Sequence, residues 1–386
     1  MDVNEHKNIL VTTAPGLNEY LSAELSQFGF EIVSTHTGGI VTRGSFIDCM
    51  KLNMHLRTAY NVLYLLREFR CGSAEALYKQ VITLPWEKII DPTEYLCVVS
   101  QVDTPSVNNT MFASLKVKDA IVDRINQKTG SRPNSGPDRN GVVVNLFWKN
   151  DKAWLYLNTS GVKLSDRNYR KMPHKAPLRE LLAASIVMAT GYDGSQSLIL
   201  PMCGSGTLAI EAALIATNRA PGSLRINFGF MHTRDFDKEL WKQIRADARK
   251  AQHKTTNIKP IIATDIDEKA IIAAKQNAKT AGVDHLIDFN LCDFADTNVP
   301  EGEGIVLMNP EYGLRLGEIT ELEVLYKRIG DFLKQKCPGR TGYIFTGNAD
   351  LAKKVGLKTS KKLIFYNGKI ECRLLKYELY KGSKEN

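Results

Sequence analysis

The chain has 386 residues, 43% hydrophobic and 24% charged, a composition that excludes disorder and fits a folded protein of two or three domains. No apolar run reaches the roughly 18–20 residues of a membrane span, the opening residues lack a signal-peptide pattern, and seven scattered cysteines form no CxxC pair, so a cytoplasmic protein without membrane or metal partners is expected. The net charge of +9 is uneven: residues 1–165 carry 17 Lys/Arg against 16 Asp/Glu, so +8 of it lies in residues 166–386.

Along the chain, residues 9–12 predict a strand and 15–27 an amphipathic helix. Short strands at 31–34 and 39–42 and a helix at 46–59 follow. This β-α-β-β-α order predicts a ferredoxin-like module over residues 1–60. Residues 61–160 form a mixed α+β block, with strands at 95–100, 142–148 and 153–158 and a helix at 115–127. A basic linker over 161–176 comes next. Lys163, Arg167, Arg170, Lys171, Lys175 and Arg179 crowd one segment opposed only by Asp166. Such a stripe attracts phosphate backbones, and the bland alternative is a solvated linker.

Residues 177–386 alternate strands (197–200, 260–265, 287–290, 304–309, 342–346) with helices (207–217, 268–281, 322–336). That rhythm predicts a doubly wound, Rossmann-like parallel sheet. Asn367-Gly368 between two strand-like runs predicts a closing C-terminal β-hairpin. The α/β sheet with such a hairpin fits class I methyltransferases better than nicotinamide-dependent dehydrogenases. In an insert over about 218–259, Phe228 and Phe230 read as core residues.

The string Pro201-Met202-Cys203-Gly204-Ser205-Gly206-Thr207 joins the first strand of this sheet to its first helix. Glycines there let the backbone approach a ligand, and the helix start offers free N–H groups. Asp265, ending the next strand, is expected to accept both hydroxyls of a ribose. Asp267 reads as the cap of the following helix. Asp293 is expected to meet an adenine amino group and Phe294 its ring. Pro201, Cys203, Gly204, Gly206, Thr207, Ile266 and Asn309 complete the expected cofactor set.

Asn309-Pro310-Glu311-Tyr312 ends the fourth strand. An exocyclic amine is a poor nucleophile because its lone pair is delocalised into the base. The Asn309 side-chain oxygen and the Pro310 carbonyl can take its two hydrogens, and the Tyr312 ring can stack on the base. The alternative is a strand-end turn with a packed tyrosine. Lys116, Lys118, Arg132, Arg167, Arg170, Lys171 and Lys175 are the expected RNA contacts.

Several stretches carry a resemblance over nearly the whole chain. They are MFASLKVKDAIVDR (111–124), SDRNYR (165–170), APLRELLAA (176–184), PMCGSGTLAIEA (201–212) and Asn309 to Arg315. With them the chain resembles the bacterial 23S ribosomal RNA guanine-N2 methyltransferases. The resemblance implies a THUMP RNA-binding domain over 61–160, a class I methyltransferase domain over 177–386, S-adenosylmethionine as cofactor, and guanine N2 of 23S RNA as target. Two residues depart from the family pattern: Leu200 replaces the usual Asp before Pro-Met-Cys, and Glu311 replaces the second proline of Asn-Pro-Pro-Tyr. They leave open an RNA-binding or ribosome-assembly protein that no longer methylates. The shared Asn-Pro-x-Tyr motif leaves open an adenine-N6 DNA methyltransferase.

Overall fold

A computed structural model describes residues 2–107, 109–172, 177–313 and 319–380. Lys175 and Arg315 lie outside the described residues. The chain divides into two compact units, one of residues 1–14, 21–166 and 221–248 and one of residues 15–20, 167–220 and 249–386.

The first unit runs β1 (Lys7–Thr12), α1 (Asn18–Gln27), β2 (Ile32–His36), β3 (Gly39–Gly44), α2 (Phe46–His55) and β4 (Asn61–Arg70). It continues with α3 (Ala74–Ile82), β5 (Leu96–Asp103), α4 (Thr110–Thr129), β6 (Val142–Lys149) and β7 (Lys152–Asn158). Its strands form one sheet in the order β2-β3-β1-β4-β7-β6-β5. The first four, antiparallel at every neighbour, make the ferredoxin-like arrangement. A capping box starts α2: the Ser45 hydroxyl accepts from the Asp48 amide, and the Asp48 carboxylate accepts from the Ser45 amide. Sequence periodicity did not single out β4, because its first four residues are all buried and only its second half alternates. β4 pairs with β1 on one edge and β7 on the other, so one sheet joins the strands before residue 60 to those after it.

The second unit begins with α5 (Glu180–Ala189), β8 (Ser197–Pro201) and α6 (Thr207–Ala216). The chain then enters the first unit over 221–248, which holds most of α7 (Lys238–Lys250), before returning. β9 (Ile261–Asp265), α8 (Glu268–Ala281), β10 (Ile287–Leu291), β11 (Gly304–Met308), α9 (Ile319–Lys336), β12 (Thr341–Thr346), α10 (Ala349–Lys354), β13 (Lys361–Asn367) and β14 (Ile370–Glu378) complete it. The sheet order is β10-β9-β8-β11-β12-β14-β13. The first five strands are parallel, and β14 runs antiparallel to both β12 and β13. This is the expected doubly wound sheet with its terminal hairpin; Gly368 takes the left-handed turn position at φ 67°. β8 and β11 are wholly buried. The strand order reverses direction at β8, flanked by β9 and β11, and ligands of such sheets bind at the carboxyl ends beside that switch.

Candidate active site

At the carboxyl end of β8 the backbone turns through three left-handed residues, Met202 (φ 62°), Gly204 (φ 55°) and Gly206 (φ 80°). The loop is pinned to the end of β9. The Cys203 amide donates to the Thr264 carbonyl at 2.9 Å, and the Gly204 amide donates to Asp265 Oδ2 at 2.8 Å. Asp265 Oδ1 accepts from the Asp267 amide at 3.0 Å. Asp265 is thereby fixed in orientation, while each oxygen keeps a further lone pair for a ligand. Asp267 caps α8 as expected, accepting from the Lys269 amide at 2.8 Å. The two glycines differ. A Cβ on Gly206 would lie 2.9 Å from Ala274 Cβ, whereas a Cβ on Gly204 would meet nothing within 4 Å. Gly206 serves packing of the loop on α8, and Gly204 leaves open space over the loop. Ile266, beside Asp265, is 72% exposed, an apolar surface on the ligand edge. Burial, reinforced by the Asp265 carboxylate, pushes the Cys203 thiol far up, so it stays neutral. Leu200 is buried among the sheet's side chains; the position read as a cofactor-side departure is a core position here.

Asp293 and Phe294 both have partners within the chain. Asp293 Oδ1 caps the short turn 294–296 through the Ala295 amide at 2.9 Å and also accepts from Arg328 Nη2 at 2.9 Å. The Arg328 guanidinium lies 4.9 Å from the Phe294 ring centroid, and Phe332 packs edge-on against that ring at 5.8 Å. Phe294 is 5% exposed and belongs to the core under β11 and α9. Its ring is therefore a packing element, and the expected stacking of Phe294 on an adenine is corrected.

Asn309 and Tyr312 follow β11 on the same edge of the sheet. Asn309 Oδ1 is buried, with no hydrogen-bond partner among the described residues. A buried amide oxygen left unpaired costs about 1–3 kcal/mol, so a ligand that brought a donor to it would be favoured there. Tyr312 is half-buried. Its hydroxyl accepts from Asn367 Nδ2 at 2.9 Å, and its ring backs onto Gly347 so closely that a Cβ there would lie 2.9 Å from two ring carbons. Burial pushes the Tyr312 phenol up to about 12, which keeps it uncharged. Glu311 is exposed.

The basic residues divide. Arg167 is 1% exposed and its guanidinium pairs with the buried Glu211 of α6, which also accepts from the Tyr169 hydroxyl at 2.9 Å. A guanidinium used this way is withdrawn from a phosphate, and the expected RNA contact at Arg167 is corrected. Arg170 is mostly buried, donating to Glu180 at 3.2 Å and to the Leu178 carbonyl at 2.7 Å. Lys171 is exposed. In the first unit Arg132 is exposed, Lys118 pairs with Asp119 at 2.7 Å, and Lys116 lies 5.6 Å over the Phe112 ring, beside exposed Met111 and Leu115.

Sequence reading missed Asn277 of α8, which is 1% exposed. Its Oδ1 accepts from the Lys171 and Met172 amides at 2.9 and 3.0 Å, and its Nδ2 donates to the carbonyls of Met172 and Ser205 at 3.0 and 3.2 Å. One side chain thus stitches the segment after Arg170 to the glycine loop. The available signal was an Asn in the middle of an otherwise apolar helix face.

Residues 167–376, more than half the chain, match the RMKL-like methyltransferase domain. The chain belongs to that family. Residues 8–63 match the RlmL ferredoxin-like domain and 71–158 the THUMP domain. The chain is 38% identical to the "Ribosomal RNA large subunit methyltransferase K/L" of Syntrophotalea carbinolica, over 95% of this chain and 53% of that protein. It thus spans about half the length of that K/L relative. A Synechocystis protein provisionally named an RNA methyltransferase is 34% identical, with 96% of each chain covered. Among solved structures, a provisionally assigned methyltransferase crystallised with SAH is 25% identical, with a TM-score of 0.88 over 98% of this chain and 100% of that one. The fold of the RMKL-like chain is thus that of class I methyltransferases, with ferredoxin-like and THUMP domains before the methyltransferase domain. Among the described residues no helix is long and apolar enough to cross a membrane.

Proposed function

We propose that this chain methylates the exocyclic N2 amine of a guanine in 23S ribosomal RNA, with S-adenosylmethionine as methyl donor. The observation that carries the reading is the buried, unpaired Oδ1 of Asn309 at the carboxyl end of β11, where an amine N–H would satisfy it. The name of the K/L relative supports ribosomal RNA as substrate, and the SAH-bound neighbour supports the cofactor.

The residues present fit that cofactor. Gly204 leaves space for close approach, Asp265 presents an oriented carboxylate for ribose hydroxyls, and exposed Ile266 offers an apolar surface for a flat ring. Asp293 keeps its second carboxylate oxygen for an amino group. Bound there, S-adenosylmethionine supplies an electrophilic methyl on a positively charged sulfur. The chain's own part is positioning. Asn309 Oδ1 and the Pro310 carbonyl accept the two amine hydrogens, which turns the nitrogen lone pair out of conjugation. Tyr312, fixed by Asn367 and Gly347, holds the base by its ring. A base amine becomes strongly acidic once its new N–C bond forms and gives its proton to water, so no unusually basic side chain is required.

The test is transfer of labelled methyl from S-adenosylmethionine to 23S RNA lacking the modification, followed by nucleoside analysis. We expect labelled N2-methylguanosine, a loss of at least 100-fold in turnover for Asn309→Ala, and unchanged cofactor affinity in that variant. Label on adenine, or on duplex DNA in preference to RNA, overturns the guanine-RNA reading. Undiminished turnover of Asn309→Ala overturns the assigned role.

A further inference from the structure

The 163–179 segment, with six cations against Asp166, is not the chain's only strongly positive stretch. Residues 353–376 hold seven lysines and Arg373 against a single carboxylate, Glu371. Three of these cations, Lys353, Lys362 and Arg373, together with Glu371, line a cavity of about 320 Å³ between α10, the loop at 357–359 and the β12–β14–β13 edge of the sheet. Ala352, Leu357 and Leu375 give it an apolar floor, and Lys353, Lys362 and Arg373 stand on its rim. Gly347 lines one end, and Gly347 is also the residue on which the Tyr312 ring packs. The cavity and the tyrosine of the base site are separated by one residue.

The existing partners of the rim cations leave them available. Lys353 meets Asp350 at 2.8 Å with side chains 76% and 87% exposed, and Arg373 meets Glu371 at 3.1 Å with both more than 40% exposed. Exposed pairs of this kind are worth at most about 1 kcal/mol, so a phosphate can displace them. Lys362 makes no ion pair among the described residues. An apolar floor under a cationic rim suits a nucleotide, whose base has flat apolar faces and whose phosphate is anionic. A lone small anion would not explain cations spread over 24 residues beyond the cavity; a strand of phosphates does.

We infer that this cavity holds the nucleotide next to the methylated one in a single-stranded stretch of the RNA, and that the 353–376 surface carries the adjoining backbone. The inference rests on the RNA-methylation reading above. It assigns the electrostatic footprint on this unit to the C-terminal hairpin and α10, in place of the buried arginines at 167 and 170.

The test is binding of the methyl-accepting RNA fragment, followed by fluorescence anisotropy across a salt series. Three variants are used: Lys362→Glu/Arg373→Glu, Thr359→Trp, which fills the cavity without changing charge, and Lys279→Glu as a charge control on α8. The double reversal is expected to weaken RNA binding at least tenfold and to flatten the slope of log affinity against log salt by about 1–2. Thr359→Trp is expected to weaken binding severalfold with the slope unchanged, raising KM for RNA with little change in kcat. Lys279→Glu should stay within twofold of wild type, and all three should bind S-adenosylmethionine as wild type does. Wild-type RNA affinity and slope in both the double reversal and Thr359→Trp, with methylation by wild type intact, overturn the inference alone. An equal loss in Lys279→Glu also overturns it, since any reversed charge would then suffice. A wild-type protein that binds S-adenosylmethionine but no ribosomal RNA overturns the RNA reading and this inference together.

Discussion

Gly204 and Gly206 stand two residues apart in one motif, both with positive φ, yet their substitutions should fail in different ways. Alanine at 206 adds a strained backbone to a Cβ that must push Ala274 away from 2.9 Å. Together these cost about 2–4 kcal/mol, visible as a lowered denaturant midpoint. Alanine at 204 meets no neighbour and costs only about 1 kcal/mol of backbone strain, but its methyl enters the space over the loop. Gly204→Ala should therefore keep most of its stability and lose cofactor affinity by about tenfold or more, read by calorimetry with S-adenosylmethionine. If Gly206→Ala keeps wild-type stability, the assigned packing role is wrong. That Gly204, Asp265 and Asn309 stand at the carboxyl ends of strands was legible, because the hydrophobic pattern marks where each strand stops. Phe294 was misread because the side chains that cover it, Arg328 and Phe332, come from α9 more than thirty residues away.

At the level of elements, α6 shows what charge counting along a sequence overlooks. Its residues TLAIEAALIA are apolar except for Thr207 and Glu211, and Glu211 is wholly buried. A helix that is apolar all round is an interior helix, and a lone carboxylate inside it demands a cation. That cation is Arg167, which the sequence had offered to RNA, with the Tyr169 hydroxyl as a second donor. The periodicity of strands and helices was legible since hydrophobic pattern follows backbone geometry, but the destination of a charge depends on which elements meet. Breaking this pair from one side should be severe. Glu211→Ala leaves a buried guanidinium uncompensated and is expected to lower unfolding free energy by about 3–5 kcal/mol, measured by urea denaturation. The triple variant Arg167→Met/Tyr169→Phe/Glu211→Leu should recover most of that loss, because it removes both charges and the hydroxyl that Glu211 accepts from, and keeps the volume filled. A single-variant cost below about 1 kcal/mol would show that the pair is not what holds this segment.

At the scale of the whole chain, sequence order and compact units do not coincide. The segment 221–248 lies, by sequence, between α6 and β9 of the methyltransferase sheet, yet it completes the first unit. Arg225, 4% exposed, donates to the carbonyls of Lys163 at 2.7 Å, Asp166 at 2.8 Å and Val162 at 3.0 Å. The Phe230 amide donates to the Thr159 carbonyl and the Arg234 amide to the Ile89 carbonyl, both at 3.0 Å. Phe228, Phe230 and Trp241 form one aromatic cluster with ring centroids 4.9–5.3 Å apart. Phe228 and Phe230 were legible as core; which core they serve was not, because no local pattern reports a chain reversal between units. Residues 1–166 expressed alone therefore lack the covering that this segment supplies. Burying three large aromatic side chains is worth roughly 5–8 kcal/mol, comparable with the entire stability of a typical domain. The 1–166 fragment should give poor hydrogen-exchange protection in β6 and β7, even though every strand of its sheet is present. Joining 221–248 to it through a flexible linker should restore that protection. If 1–166 alone protects its strands as the full chain does, the inserted segment is an accessory and not part of the unit's core.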